Sequence, residues 1–295
     1  MDVMVKPGKY VLAVSGGVDS MVLLHVLAAD PGVELVVAHY DHGMRAESGQ
    51  DRELVQQTAA KLGLPFVYEE GKLGANASEA QARTKRYDFL RRVMKESGAG
   101  AIITAHHQDD VLETMLLNML RGTGRRGLSS LRSHTDLMRP LLNIPKADLV
   151  AYAHKHHIEW HEDSTNQDTK YRRNAVRHTL IPKLTPVQRA QLLKHTEQAR
   201  EVNDEIDSLL QQLLAGHEAD SLDRAAFIAL PHAVARELLA AWLRARKLEF
   251  DRKTIERLVV FIKTAAVGKQ ADISDAAYLL AGKKDIALRG RTQGH

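Results

Sequence analysis

The sequence contains no cysteine among its 295 residues. This absence excludes disulfide bonds, thiolate catalysis, and iron–sulfur or zinc sites held by cysteine. No apolar run reaches the roughly 18 residues of a membrane-spanning helix. The first ten residues, MDVMVKPGKY, hold no apolar stretch of signal-peptide length. We therefore expect a cytoplasmic protein that has no membrane partner.

The excess of positive charge is small but unevenly distributed. Lys and Arg number 41 against 37 Asp and Glu, which gives a formal net charge of +4. Basic residues cluster at 83–92, 121–132 and 170–177. A single cluster of this kind is usually a solvated face, but three of them in one part of the chain favour a polyanionic partner.

Strand and helix patterns alternate along the first 120 residues. Short apolar segments alternate with helical segments of 10–20 residues, and Gly63, Gly98 and Gly122 are the helix stop signals. This order predicts an α/β domain with a parallel, twisted sheet covered by helices on both faces. Ligands of such sheets bind beyond the carboxyl ends of the strands. The predicted strands are 10–14, 34–39, 65–69 and 101–105, and the predicted helices are 19–28, 51–62, 78–97 and 109–120.

The pattern changes near residue 184. The chain beyond it shows long helical periodicity, and only its last stretch, 269–290, indicates a small β-hairpin. There are no internal repeats and no low-complexity tracts. We predict an N-terminal catalytic domain, residues 1–184, followed by a smaller, mostly α-helical domain, residues 185–295.

A glycine turn, SGGVDS (Ser15–Ser20), follows the first predicted strand and opens the first helix. The unpaired N–H groups of a helix N-terminus attract phosphate, and glycines let the backbone approach it closely. Ser15 and Ser20 add hydroxyl donors, whereas the carboxylate of Asp19 would repel phosphate unless it holds Mg²⁺. The turn matches neither the Walker pattern nor the dinucleotide-binding GxGxxG. A plain helix cap is the alternative.

With the apolar strand before it, the glycine turn resembles the pyrophosphate-binding loop of the N-type ATP pyrophosphatases. These enzymes split ATP between its α- and β-phosphates and pass AMP to a substrate oxygen, which a nucleophile then replaces. The resemblance implies an adenine nucleotide alpha hydrolase-like fold, with ATP and Mg²⁺ as cofactors and Asp19 as the metal ligand. The implied nucleotide-binding residues are Ser15, Gly16, Gly17, Val18, Asp19, Ser20 and His39.

Five further segments together resemble the tRNA(Ile)-lysidine synthase family. The resemblance covers residues 10–184 and, more loosely, the remainder. It implies a ligase that uses ATP to join free L-lysine to carbon 2 of the wobble cytidine of tRNA(Ile) with anticodon CAU. The implied reaction passes through an adenylated cytidine, gives lysidine and changes decoding from AUG to AUA. The segments are AHYDHGMR, EAQARTKRYDFL, TAHHQDDVLETMLLNMLRGTGRRGL, RPLL and EDSTNQDTKYRRNAVRH.

His106, Asp110 and Glu113 are spaced at i, i+4 and i+7 and share one face of a predicted helix. Two carboxylates and an imidazole beside the glycine turn can receive a cationic amine and take its proton. The alternative is a solvated acidic helix start. In the family, the positions matching Asp110 and Glu113 contact the lysine substrate, and the position matching His106 serves in adenylation. His107 is predicted to be structural or to face tRNA.

Three more residues complete the predicted nucleotide and catalytic sites. Arg86 lies beside apolar positions of its helix, from which it can reach phosphate; a surface arginine is the alternative. His39 is expected to border the adenine, with a capping or core histidine as the alternative. The polar loop 40–50 is typical of a lid. With Arg177 assigned by the resemblance, the predicted catalytic residues are Asp19, Arg86, His106, Asp110, Glu113 and Arg177.

Two cationic segments are predicted to contact tRNA. RGTGRRG, residues 121–127, indicates a flexible loop suited to a nucleic-acid backbone, with a helix cap carrying solvated arginines as the alternative. YRRNAVRH adds further arginines. The predicted tRNA contacts of the first domain are Arg121, Arg125, Arg126, Arg172 and Arg173. The second domain is predicted to clamp the tRNA through Arg244, Arg246, Arg252 and Lys253.

The histidine-rich segment HKHHIEWH, residues 154–161, has no acidic or cysteine partners at metal-ligand spacing. We interpret it as packing near Trp160 and not as a metal site.

Two alternative functions compete with the lysine ligase. One is another ATP-pyrophosphatase that modifies tRNA, although a thiolase would need the cysteines that this chain lacks. The other is a non-catalytic tRNA-binding protein that senses ATP. Pyrophosphate release that needs both lysine and tRNA distinguishes an enzyme from a binder. A homodimer is left open. Many family members carry a further C-terminal domain, and this sequence stops near where that domain would begin.

Overall fold

The structure is a computed structural model that describes residues 1, 3–41, 48–71, 79–129, 131–162, 172–215 and 220–291. The side chains of residues 48, 79 and 172 are outside this description. The chain forms two compact units, Met1–Arg200 and Glu201–His295.

The first unit alternates strands and helices, as the sequence predicts. Its strands are β1 (Gly8–Ala13), β2 (Val33–Asp41), β3 (Phe66–Glu70), β4 (Ala101–Ile103) and β5 (Leu137–Met138). Its helices are α1 (Val18–Ala28), α2 (Ser48–Lys61), α3 (Glu79–Ser97), α4 (Gln108–Leu120), α5 (Arg125–Leu128), α6 (Lys146–Lys155) and α7 (Arg172–Ala175). A π-helical turn (Val176–Leu180) and a 3₁₀ turn (Ile181–Lys183) lead to α8 (Pro186–Ala215).

The five strands form one parallel sheet in the order β3-β2-β1-β4-β5. Strands added after β1 run outward to β3, and the chain then crosses to β4 on the other side of β1. The direction of strand addition therefore reverses between β1 and β4, where the loops leaving two adjacent strands diverge and open a crevice. The predicted parallel α/β sheet is confirmed.

Both faces of the sheet are covered by helices. On one face, α1, α2 and α6 bury residues such as Leu24, Val55 and Leu149 against the strands. On the other face, α3 buries Phe89 and Leu90. Strands buried on both sides must be apolar along their whole length, which explains the run VLAV in β1 and the turn after it. Each fully buried aliphatic side chain contributes about 1.5–3 kcal/mol.

The first unit extends to Arg200, sixteen residues beyond the predicted boundary at 184. The first turns of α8 belong to it because Leu192 and Leu193 pack on a cluster with Leu112 and Leu117 of α4. Arg189 reinforces this packing through an ion pair of 3.1 Å with Asp109. Helical periodicity marks the start of α8 but cannot tell which core its first turns join.

The second unit combines helices with a sheet. A four-stranded antiparallel sheet in the order β6-β9-β8-β7 replaces the predicted hairpin. Trp242 and Leu258 lie in its core with Leu279 of the sheet. None of the described helices in either unit is long and apolar enough to cross a membrane. The elements are β6 (Ser221–Asp223), α9 (Arg224–Ala229), α10 (His232–Ala245), α11 (Arg252–Thr264), β7 (Gln270–Ser274), β8 (Ala277–Ala281) and β9 (Asp285–Gly290).

Candidate active site

The candidate site lies at the carboxyl ends of β1 and β4, where the strand order reverses. The glycine turn leaves β1, and the segment Thr104–His107 leaves β4 beside it. A cavity of about 430 Å³ lies between them. Among the residues that line it are Ser15, Asp19, His39, Arg86, His106 and Arg177, all of which the sequence singles out.

The glycine turn has the geometry of an anion cradle. Gly16 has a φ of +92°, a conformation that favours glycine, and Gly17 is the N-cap of α1 with no side chain capping the helix. The first N–H groups of α1, including those of Val18 and Asp19, have no helical acceptor. They are therefore available to phosphate oxygens.

The hydroxyl of Ser20 shapes this turn from inside. It donates to the Gly17 carbonyl at 2.9 Å and accepts from the Ser15 N–H at 3.1 Å, and its side chain is buried. The exposed hydroxyl of Ser15 is better placed to reach a ligand. Ser20 thus holds the loop conformation and also lines the cavity, so its direct contact with a nucleotide stays a prediction.

Asp19 lies between two basic side chains. Its Oδ2 is 3.3 Å from Lys146 Nζ and 3.4 Å from His107 Nε2. Burial alone would raise the pKa of Asp19, but its hydrogen bond to His107 and the positive charges of His107 and Lys146 lower it below its ordinary value. The pKa of His107 is raised: burial opposes this, and Asp19 and Asp110 outweigh burial. The carboxylate is therefore ionised at neutral pH.

The donor set fits a magnesium ion that is shared with substrate phosphates. Asp19 Oδ1 is buried and has no hydrogen-bond partner among the described residues. Mg²⁺ keeps several waters and is usually held by one or two carboxylates together with phosphate oxygens. No group of three or more acidic or histidine ligands occurs in the described part of the chain. Asp19 would thus be a protein ligand of an ion that completes its coordination with phosphate oxygens and water.

His107 is the N-cap of α4 and is almost fully buried. Its Nδ1 accepts from the Asp109 backbone N–H at 3.2 Å, while the His107 backbone N–H donates to Asp110 Oδ2 at 2.9 Å. This reciprocal capping fixes the start of α4. The structural role expected for His107 is therefore found, and the tRNA-facing alternative is wrong because the ring is enclosed.

The acidic face of α4 points inward, as the spacing predicts. Asp110 is 8% exposed and Glu113 is 1% exposed, so the alternative of a solvated acidic helix start is wrong. Each carboxylate already has a cationic partner. Arg177 Nη2 lies 3.0 Å from Glu113 Oε2 and 3.4 Å from Asp110 Oδ1, and Arg173 Nε lies 3.1 Å from Glu113 Oε2.

Arg173, a predicted tRNA contact, pairs with Glu113 in this structure, and its tRNA contact stays a prediction. Its guanidinium is committed to a buried carboxylate and is only partly exposed. Arg177 comes from the π-helical turn and also lines the cavity. Burial would lower the pKa of Arg177, but its bonds and proximity to Glu113 and Asp110 raise it above its ordinary value. This arginine stays charged throughout the accessible pH range.

His106 lies on the cavity wall and is neutral at pH 7. Burial lowers its pKa to about 3, and the charges of Arg139, Arg86 and Arg83 add to this effect while Asp110 opposes it. Its Nδ1 lies 2.9 Å from the Thr104 hydroxyl. That bond fixes the ring orientation. The other ring nitrogen, Nε2, can then form a hydrogen bond with a ligand.

Arg86 is half-buried and lines the same cavity, so the alternative of a surface arginine is wrong. Burial lowers the pKa of its guanidinium, and the charges of Arg83 and Arg173 do so further, while Tyr87 opposes the shift. Its guanidinium carbon lies 5.5 Å from the centre of the Tyr87 ring. An arginine on the cavity wall that has no acidic partner among the described residues is suited to bind an anionic group.

His39 ends the strand side of the cavity. Its Nδ1 lies 2.8 Å from the Val14 carbonyl oxygen, so that nitrogen carries the proton, and the ring stacks on Tyr68 at 6.4 Å. Burial lowers the pKa of His39, and Val14 and Asp41 oppose the shift. His39 therefore lines the cavity, as expected, and its ring is also buried in the core. Residues 42–47 of the predicted lid lie outside the described part of the chain.

The structure describes most, but not all, of the first-domain arginines that are predicted to contact tRNA. Arg121 is exposed at the C-cap of α4, and Arg125 and Arg126 lie on α5. The segment is folded and not a flexible loop, because Asn118 Nδ2 donates to the Gly127 carbonyl at 2.7 Å. The side chain of Arg172, and residues 163–171 before it, lie outside the described residues.

In the second unit, one predicted tRNA contact is used internally. The guanidinium of Arg246 stacks over Trp242 at 4.3 Å, and its Nη1 donates to the Trp242 carbonyl at 2.8 Å. Arg244, Arg252 and Lys253 are exposed, so they remain predicted tRNA contacts.

Three residues of the site were not singled out from the sequence: Lys146, Asp51 and His161. Lys146 begins α6 and reaches Asp19. Asp51 and His161 line the cavity and bind each other at 2.8 Å. The sequence contains no local signal for these contacts, because each joins residues more than 100 positions apart.

These features define the class of protein. The family model described as the PP-loop domain matches residues 2–184, and the chain belongs to this family. Within it, the chain is similar to proteins named tRNA(Ile)-lysidine synthase. It is 34% identical over 273 residues to the one from Solibacter usitatus. This aligned region covers 88% of this chain and 62% of that protein. It is 42% identical over 178 residues to the one from Exiguobacterium sibiricum, which covers 59% of this chain and 42% of that protein.

The chain spans less than two thirds of the length of these relatives. Among solved structures, it resembles the U34-tRNA thiolase NcsA from Methanococcus maripaludis, which holds a [4Fe-4S] cluster. The TM-score is 0.55 at 17% identity, over 68% of this chain and 74% of that one. This likeness shows the shared fold alone.

Proposed function

We propose that the protein is an ATP-dependent ligase that attaches L-lysine to carbon 2 of the wobble cytidine of tRNA(Ile) with anticodon CAU. The observation that carries the proposal is a cavity that is lined both by the glycine turn and by the buried carboxylate of Asp110, with Arg177 linking it to Glu113. A polyphosphate and an amine can therefore meet there. The similarity to proteins named tRNA(Ile)-lysidine synthase supports the choice of substrates.

The first step forms the adenylated cytidine. The oxygen on carbon 2 of the cytosine attacks the α-phosphorus of ATP, and pyrophosphate leaves with the electrons of the broken P–O bond. The glycine turn holds the β- and γ-phosphates through its backbone N–H groups, and Arg86 binds the negative charge that develops. Mg²⁺, held by Asp19, supplies charge neutralisation at the phosphates.

The second step replaces AMP by lysine. The ε-amine must be neutral to attack carbon 2, so its ammonium form has to bind and lose a proton first. Asp110, which lines the cavity, and Glu113, one turn further along α4, are the acidic groups proposed to take this proton. AMP then leaves with the carbon 2 oxygen, and the new C–N bond completes lysidine.

Binding of lysine requires an exchange of partners on α4. Arg177 and Arg173 neutralise Asp110 and Glu113 in this structure, so the lysine ammonium must compete with them. Arg177 also lines the cavity and can turn toward phosphate. We propose that ATP draws Arg177 from the carboxylates and so prepares them for the amine.

The proposal is tested by incubating the protein with ATP, labelled lysine and a CAU-anticodon tRNA(Ile) transcript. Lysidine in the nucleoside digest, with one AMP and one pyrophosphate per modified base, is the expected result. An initiator tRNA(Met) transcript and Asp19→Asn are the controls, and both should give none. ATP binding without pyrophosphate release, release without tRNA, or multiple turnovers of release without lysine would refute the proposal.

A further inference from the structure

The histidine at the end of HKHHIEWH is not used by the proposed reaction, yet it lies against the glycine turn. His161 Nδ1 is 2.8 Å from Asp51 Oδ1, and the His161 backbone N–H donates to the Gly16 carbonyl at 3.0 Å. These two bonds bring the segment after α6, the first turn of α2 and the glycine turn into one packed group.

Packing around Gly16 shows how closely this group is built. A Cβ at Gly16 would lie 3.2 Å from Asp51 Cβ, and a Cβ at Gly17 would lie 4.0 Å from the His161 carbonyl oxygen. Asp51 and His161 therefore back the turn directly. The backbone bond from His161 positions the turn whatever side chain residue 161 carries.

The imidazole of His161 keeps one nitrogen for a ligand. Nδ1 is engaged by Asp51, while Nε2 has no hydrogen bond to any other described residue. Both side chains line the 430 Å³ cavity, and that of His161 is 43% exposed. A carboxylate on Nδ1 fixes the orientation of the ring, and an imidazole that binds an anion does so as a donor through Nε2.

We propose that His161, oriented by Asp51, is a contact for the pyrophosphate end of the bound nucleotide. This inference rests on the proposed function, since it deepens the same site. His161 lines the same cavity as Ser15 and Gly17, and its backbone contacts the turn where the phosphates are expected. In this proposal Nε2 binds a phosphate oxygen, and Asp51 is a positioning residue.

The test is calorimetric binding of ATP, inorganic pyrophosphate and AMP, each with Mg²⁺, to the full chain. His161→Ala should weaken binding of ATP and pyrophosphate roughly three- to tenfold, because a charge-assisted bond is lost from a partly hydrated position. It should leave AMP binding unchanged, since AMP lacks the two phosphates concerned. His161→Gln should fall between Ala and the original protein.

Asp51→Asn should weaken ATP binding less, and should have no further effect in a His161→Ala background, because its effect passes through the imidazole. His154→Ala is the matched control: it belongs to the same segment, is exposed, packs on Trp160 at 5.1 Å and should bind all three ligands normally.

Unchanged binding of ATP and pyrophosphate by His161→Ala, or an equal loss for AMP, would overturn the inference. Independent effects of the two substitutions would overturn the role of Asp51. Failure of the original chain to bind ATP at all would instead refute the proposed function. The experiments thus separate the two hypotheses.

Discussion

Replacing Glu113 by glutamine tests whether the buried carboxylate of α4 is held by arginines before lysine arrives. Glu113 is 1% exposed and receives Arg177 and Arg173 from the segment after the sheet. Loss of one partner from a buried ion pair usually costs about 3–5 kcal/mol. Both arginines are about 30% exposed and can regain water, and glutamine keeps one acceptor oxygen. We therefore expect a loss of about 2–3 kcal/mol.

The sequence provides a reporter for the unit concerned. It contains two tryptophans, Trp160 in the first unit and Trp242 in the second. In a Trp242→Phe background, the fluorescence of Trp160 follows urea unfolding of the first unit. With a dependence on urea of about 2 kcal/mol per molar, the expected loss lowers the midpoint by about 1–1.5 M.

The matched control is Asp88→Asn on α3. Asp88 lies 3.7 Å from Arg91, and both side chains are more than half exposed. This pair should contribute less than about 0.5 kcal/mol, so its midpoint should move by less than about 0.3 M. If Glu113→Gln shifts the midpoint no more than this control does, the arginine clamp does not stabilise the unit. If Glu113→Gln also keeps its KM for lysine, the carboxylate is not the lysine site.

Three further predictions concern the turn and its neighbours. Gly16→Ala should lower the free energy of unfolding by about 1–3 kcal/mol, because its φ is +92° and the new Cβ meets Asp51. Gly17→Ala, by contrast, should leave the urea midpoint unchanged and weaken ATP binding. The pKa of His106 is about 3, so the unfolded chain takes up a proton below about pH 6.5 that the folded chain does not, and stability falls with decreasing pH. His106→Asn should reduce that slope by up to about 1.4 kcal/mol per pH unit, and an unchanged slope in urea titrations would contradict the buried neutral ring. Lys146→Ala should lower the Mg²⁺ concentration that gives half-maximal pyrophosphate release by about two- to threefold, because Lys146 competes for Asp19 Oδ2 at 3.3 Å; a higher requirement would contradict this.

The sheet and its helices are well predicted because their limits are encoded locally. The three glycines chosen as stop signals, Gly63, Gly98 and Gly122, all have positive φ, between +62° and +69°. That backbone conformation ends a helix, and glycine adopts it without strain. β5 escapes prediction because two residues are too few to show a period, and only its pairing with β4 makes it a strand.

Within the site, contacts along one helix are predictable and contacts between distant segments are not. The spacing of Asp110 and Glu113 correctly places both on the inner face of α4. Their pairing with Arg177, 64 positions from Glu113, depends on the path of the chain after the sheet. The same is true of His161, whose segment suggests packing when examined alone. Its position against Gly16 arises because the segment after α6 returns the chain to the glycine turn, where α6 began beside Asp19.

The charges around the cavity suggest why both substrates are needed together. Asp19, Asp51 and Glu113 each hold a basic side chain, so the described site is nearly neutral inside although it is rich in charge. A polyphosphate that enters alone gains Arg177 only by taking it from the buried carboxylates, and an ammonium that enters alone must displace the same arginine. When both bind, each carboxylate and each guanidinium keeps a partner of opposite charge. The free energy of each binding event then depends on the other, equally in both directions. Under the proposed function, this coupling makes the cavity most receptive to lysine once ATP has taken Arg177.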